Sequence, residues 1–337
     1  MRFQRLQQRA ILGSGALLAL VFLGLCAANA MPGTSFRGEL PAPSEEMHVL
    51  EGRLKAHVAA LATGIGERRI GLGDSLKRAE DYVADALRSI DGTGRSRIRF
   101  EDLGAEGSEA QNVIFELPGD SNELVVVGAH YDSAPGTPGA NDNASGVAAT
   151  LELARRLATR RHHRCLRFVL FANEEPPYFQ NPGMGSLEHA RASRERGDKV
   201  TAMLALESLG YYSSAPESQH YPGPLRLFFP DRGNFVGFVG NLSSHGLVRG
   251  AIRAFRRTTA FPSEGAVLPS RVPGVGWSDH WSFWQANYPA IMLTDTAIFR
   301  DPNYHEPTDI ASELDYLSLA RVTLGIEHVI DALAKPD

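Results

Sequence analysis

The sequence predicts an α/β fold: a single globular domain on a mostly parallel central β-sheet, with helices on both faces and antiparallel outer strands. Two observations carry this. Short apolar runs of strand length alternate with stretches of helical periodicity along most of the 337 residues, the pattern of a sheet threaded by crossover helices. One of those runs, Leu-Val-Val-Val-Gly-Ala at 124–129, is apolar without alternation, which suits a strand covered on both faces. The 33 glycines and 20 prolines fit a loop-rich α/β chain better than a helical bundle.

Residues 46–62 repeat apolar positions at helical spacing (Val49, Leu50, Leu54, Val58, Leu61). A second helix is expected over 74–90, with Leu76, Ala79, Val83, Ala86 and Leu87 on one face. Residues 97–100 and 112–117 read as a pair of outer strands. The strand at 124–129 precedes a helix over 145–159. A strand over 166–172, apolar apart from Arg167, precedes a helix over 186–196. Further strands are expected at 200–206, 225–229 and 290–293, and helices at 234–244, 247–255 and 318–334.

Residues 1–30 stand apart. Arg2, Arg5 and Arg9 precede an apolar run over 10–28, and Ala28-Asn29-Ala30 has the form of an A-x-A cleavage site. The segment reads as a signal peptide or, if retained, as a membrane anchor. In either case the domain is expected outside the cytoplasm: periplasmic or secreted if cleaved, tethered to the membrane otherwise. Residues 31–45, rich in Pro, Gly and Ser, read as a flexible leader, and 46–337 as the folded domain. A net charge of −5 with no long basic run gives no sign of a nucleic-acid partner. No protein partner is signalled.

The chemistry lies in motifs at strand ends. His130 and Asp132 form His-x-Asp, in which a metal-bound imidazole can give its second N–H to the carboxylate; a strand-end histidine capped by a nearby Asp is the plainer reading. Asp142, in Asn-Asp-Asn-Ala-Ser-Gly, precedes a helix and is either a ligand able to reach two ions or a helix N-cap. Glu174 and Glu175 follow an apolar strand and precede two prolines that stiffen the turn. One can bind metal while the other faces substrate as a general base. Glu207 ends an apolar strand with no basic neighbour in sequence, so it needs a cation, a distant Arg or solvent. His305 sits in Asn-Tyr-His-Glu-Pro-Thr-Asp. Open α/β sheets bind ligands beyond the carboxyl ends of their strands, and four of these motifs fall there.

Taken in order, these motifs, with Trp-Ser-Asp-His-Trp at 277–281, closely resemble the M28 family of di-zinc peptidases over roughly residues 46–337. The resemblance implies a zinc-dependent exopeptidase fold of the phosphorylase/hydrolase-like type, two Zn²⁺ ions, peptide substrates and action at a free amino terminus. It implies that Asp142 bridges the two ions, that Glu175 and His305 complete one site and that His130 and Glu207 complete the other. Glu174 would be the general base, taking a proton from the attacking water and passing it to the leaving amine. Asp132 would orient His130. A cis peptide between Asp142 and Asn143 is also implied.

This chain departs from the family in two places. Glu207 stands where many relatives carry Asp. No Tyr precedes Ser278-Asp279-His280, where some secreted aminopeptidases keep one to stabilise the tetrahedral intermediate; Tyr211, Tyr212 and His280 are the candidates to replace it. Ser278, Asp279 and His280 are consecutive and do not suit a serine-hydrolase triad. Two other readings share the fold, a glutaminyl-cyclase-like acyltransferase and a non-catalytic peptidase-like ectodomain. The complete five-ligand set favours hydrolysis.

Overall fold

The computed structural model describes residues 29–90, 97–104 and 110–336. The first helix, α1 (Glu45–Val58), is started by Ser44, whose hydroxyl accepts the backbone N–H of Met47 at 3.2 Å. It runs on through a π-helical segment, Ala59–Ile65, and is followed by α2 (Ser75–Arg88). The alternating part of the chain then adds β1 (Arg97–Asp102), β2 (Gln111–Leu117), β3 (Glu123–His130), α3 (Gly146–Leu157), β4 (Cys165–Phe171), α4 (Gly185–Glu195) and β5 (Lys199–Glu207). Beyond it come β6 (Val236–Gly240), α5 (His245–Thr258), β7 (Ser263–Val267), α6 (His280–Gln285), β8 (Ala290–Thr294) and α7 (Tyr316–Leu333).

The eight strands form one sheet in the order β1-β2-β4-β3-β5-β8-β6-β7. Its middle, β4-β3-β5-β8, is parallel. The outer pair β1-β2 joins antiparallel, and β6 runs antiparallel to β8 while pairing in parallel with β7. This is the expected fold class. Successive residues of β3 divide between two apolar layers, as the two-residue period of a strand requires. Val125 and Val127 pack with α1, α2, α3, α5 and α7, and Leu124 and Val126 pack with α4 and α6. Arg167, the polar residue of β4, is buried but paired, with Glu116 and Asp198 each at 2.7 Å.

Two expectations need correction. Residues 225–229 form no strand; Pro222 and Pro224 start a 3₁₀ turn, Gly223–Leu227, from which Leu225 lines a pocket. Residues 234–244 form no α-helix: Val236–Gly240 is strand β6, where two glycines let the backbone pass through the sheet with little side chain, and Leu242–Ser244 is a single 3₁₀ turn. Residues 31–45, expected as a flexible leader, form neither helix nor strand before Glu45, and their first few residues touch the domain. Met31 packs on the main apolar layer, Ser35 Oγ accepts the N–H of Ser263 at 2.9 Å, and the carbonyls of Pro32 and Gly33 accept from Arg256. Asn29 forms a two-pronged bond with the backbone of Val267, accepting at 2.8 Å and donating at 3.1 Å. Residues 29–35 are thus laid along the free edge of β7. The apolar run over 10–28 lies outside the described residues, among which no helix is long and apolar enough to cross a membrane.

Candidate metal centre

Four neighbouring parallel strands deliver the motifs to one edge of the sheet. His130 is the last residue of β3 and Glu207 the last of β5, Glu174 and Glu175 follow β4, and His305 lies in the segment after β8. Asp142 arrives from the loop between β3 and α3, and its peptide to Asn143 is cis, as is that between Pro176 and Pro177. Asn143 secures this loop: its Nδ2 donates to the Leu206 carbonyl at 2.8 Å and its Oδ1 accepts from Ser208 and Gly146. Gly139 has to be glycine, because its φ is 60° and a Cβ there would lie 2.4 Å from the Asp142 carbonyl oxygen.

The predicted ligands meet. Asp142 turns Oδ1 to His130 Nε2 at 3.2 Å and Oδ2 to His305 Nε2 at 3.0 Å. His130 Nε2 also lies 3.3 Å from Glu207 Oε2, and His305 Nε2 lies 3.3 Å from Glu175 Oε1. Donor atoms of His130, Asp142 and Glu207 therefore cluster within 4.8 Å of one another, and so do those of Asp142, Glu175 and His305. A third such group joins His130 with Glu174 and Glu175. All six residues line one open cavity of about 650 Å³, with Phe179, Trp277, Ile298 and Tyr304 on its apolar walls.

The side chains here do not balance their own charge. Burial pushes the Glu174 carboxyl well above its ordinary range; His130 opposes this, while Glu175, Asp279 and Glu207 add to it. Glu175 is pushed up to about 7 by burial and by Asp142. Burial would lower both histidines, but the surrounding carboxylates outweigh it, and His305 rises to about 10. Asp142 is held low, because its two histidine contacts overcome burial. Asp142 Oδ1 and Glu175 Oε1 have no hydrogen-bond donor, their near neighbours being other ligand atoms. Oxygen- and imidazole-rich, acidic and short of donors, the cluster fits divalent cations.

Asp132 stands beside His130, its Oδ1 3.4 Å from His130 Nδ1. Its two oxygens also accept the backbone N–H groups of Glu174 and Glu175 at 3.1 and 3.0 Å. Asp132 thus fixes the Glu174–Glu175 turn as well as standing beside His130. Ser278 and Ser208 donate to the two oxygens of Glu207 at 2.8 and 2.9 Å. Of the candidates to replace the missing Tyr, none lines the cavity: His280 is wholly buried and bonded to the Val275 carbonyl, Tyr212 packs against Phe261, and Tyr211 also lies elsewhere. Tyr304 does line it, stacked on His305 with ring centroids 4.0 Å apart. It stands next to a predicted ligand in sequence, yet nothing in the motif marks its ring as part of the wall.

Two supporting residues escaped the sequence reading. Asp309 accepts the backbone N–H of Asn141 at 2.7 Å and that of Asp142 at 3.1 Å. Arg68, fully buried, donates to the carbonyls of Gly66, Tyr131, Pro138 and Gly139, tying down the loop between His130 and Asp142.

The model of Peptidase family M28 matches residues 112–330. The chain belongs to peptidase family M28. Within the family's reach, the Escherichia coli K12 protein YfbL is 38% identical over 293 residues, covering 84% of this chain and 88% of its own. Leucine aminopeptidase 1 of Trichophyton equinum is 28% identical, covering 73% of this chain and 64% of the fungal protein. Among solved structures, the zinc aminopeptidase BSAP of Bacillus subtilis superposes with a TM-score of 0.65 at 16% identity, covering 88% of this chain and 97% of that one. A glutaminyl cyclase of Bacteroides thetaiotaomicron does so with a TM-score of 0.62 at 16% identity, over 89% and 100%. At such identities the M28 chain shares a fold with both.

Proposed function

We propose that the chain is an exported zinc-dependent aminopeptidase, with two zinc ions held by His130 and Glu207 on one side, Glu175 and His305 on the other, and Asp142 between. The observation that carries the reading is the carboxylate of Asp142, which gives one oxygen to each of two His–Glu pairs. The sequence relative named as an aminopeptidase supports the reaction class. When bound, the ions supply Lewis-acid activation of a water and of the scissile carbonyl.

The chain's own groups do the rest. Glu174 lines the same cavity without belonging to either proposed ligand set, and its backbone is fixed by Asp132. It takes the proton of the attacking water and returns it to the departing amine. Asp142, Glu175 and Glu207 make the wall acidic, which attracts a protonated substrate amino terminus. Phe179, Trp277 and Tyr304 exclude water from around the bond to be cut.

The test joins metal analysis to a substrate panel on the purified protein. Two zincs per chain, with release of the first residue from aminoacyl-p-nitroanilides and none from N-acetylated controls, is the expected result. Cleavage confined to blocked amino termini would remove the aminopeptidase label. One zinc with conversion of glutaminyl peptides to pyroglutamyl products would transfer the chain to the acyltransferases. Export is tested separately by fractionating cells that express the full chain; a domain recovered only from the cytoplasm would end that part of the proposal.

A further inference from the structure

A second cavity opens beside the candidate metal centre and shares Glu207, Trp277, Ile298 and Tyr304 with it. It holds about 850 Å³ of space continuous with solvent. Its floor is the sheet itself. Glu207, Thr294, Gly237 and Glu264 are direct partners in the adjacent strands β5, β8, β6 and β7, so they form one straight row across the sheet, on one face. With strands about 4.8 Å apart, the row carries Glu264 roughly 14 Å from Glu207. Gly237 contributes no side chain to the middle of this floor, and beyond the row Ala266 adds only a methyl group.

The middle of the cavity is apolar and its far end is not. Leu225 and the stacked rings of Tyr221 and Phe229 stand over the floor, and none of the lining residues carries a positive charge. At the far end Glu264 is incompletely compensated. Burial raises its pKa, opposed by Ser35, Arg256 and Arg37. The nearest guanidinium atom, Arg256 Nη2, is 3.9 Å away, and Arg256 already donates to Ser263, Pro32 and Gly33. An apolar trough ending on a carboxylate matches a side chain of several methylenes with a cationic tip.

We propose that this cavity receives the side chain of the substrate's amino-terminal residue and that Glu264 selects lysine or arginine there. The proposal rests on the aminopeptidase reading and adds to it the class of residue removed. Norleucine, which keeps the four-carbon chain of lysine and lacks its ammonium group, isolates the contribution of Glu264. Wild-type protein should cleave lysyl-p-nitroanilide with a kcat/KM about tenfold above the norleucyl compound, as one charged hydrogen bond warrants. In Glu264→Gln that ratio should fall to about one. A wild-type ratio at or below one, or a ratio that survives the substitution, overturns the assignment. Calorimetric binding of lysinamide against norleucinamide to the same proteins gives a readout independent of turnover. Tighter lysinamide binding that Glu264→Gln removes, with no substrate cleaved, keeps the pocket and ends the aminopeptidase reading. Equal binding of the two amides ends the pocket assignment even if both p-nitroanilides are cleaved.

Discussion

Asp309 receives the backbone N–H of Asp142 on its Oδ2 at 3.1 Å, across 167 residues of chain. With Oδ1 on Asn141 at 2.7 Å, it holds the loop that presents the proposed bridging carboxylate. Asp309→Ala should leave the sheet folded and weaken zinc affinity by about 10–100-fold, as loss of an outer support does. Competition with a chromophoric chelator measures this. Wild-type affinity in the variant would mean that the loop holds its shape without Asp309.

Glu174→Gln keeps the size of the side chain and removes its capacity to take a proton. Turnover should fall by about 10²–10⁴-fold, the scale of general acid–base catalysis, with zinc content unchanged. Retained activity would pass the role of base to another group.

Asp132 accepts two backbone N–H groups from the turn that carries Glu174 and Glu175. Asp132→Asn should lower kcat and zinc affinity together, because an amide presents one acceptor oxygen where the carboxylate presents two. Metal content and single-turnover rates read the two losses separately. A fall in kcat alone would confine Asp132 to the Glu174 side of the turn.

Removing zinc with a chelator leaves the carboxylates of the cluster without their counter-charge, so melting temperature should fall along with activity, and both should return when zinc is restored. An unchanged melting temperature after complete loss of metal would mean that the cluster neutralises itself by taking up protons.

Away from the site, Glu152 on α3 accepts from Arg53 and Arg155 at 2.8–2.9 Å. Burial would raise its pKa, but His57, Arg53 and Arg155 outweigh burial and bring it down from 4.5 to about 2. A depressed carboxyl pKa stabilises the fold above the unfolded value and loses that contribution as pH falls from 4.5 towards 2. The wild-type melting temperature should therefore decline through that window more than that of Glu152→Gln, by on the order of 2 kcal/mol of stability. Parallel curves for the two proteins would contradict this.

The central strands were legible because β3, β4 and β5 are buried on both faces and so read as apolar runs. Strands β6 and β7 were not: Val-Gly-Phe-Val-Gly and Ser-Glu-Gly-Ala-Val carry too few apolar residues to announce a strand, and their pairing depends on neighbours distant in sequence. The apolar residues at 225–229 misled for the opposite reason: Leu225 and Phe229 line a pocket, Leu227 and Phe228 are exposed, and none builds a sheet. The proposed ligands were legible because they sit in short motifs in a fixed order, three of them at or just after strand ends. Asp309 and Arg68 act on backbone atoms 63 to 168 positions away, and no local pattern encodes that. Tyr304 could be found only once the wall of the cavity was known.

The segment before α1 has a bearing on how the molecule meets its own kind. Asn29 occupies both the N–H and the C=O of Val267, at the outer margin of the sheet. If the proposed signal peptide is cut after Ala30, those two bonds are lost while Ser35 keeps its hold on Ser263, so only the Val267 end of the β7 margin is opened to pairing with another chain. Under that proposal, the place of the cut bears on self-association in solution.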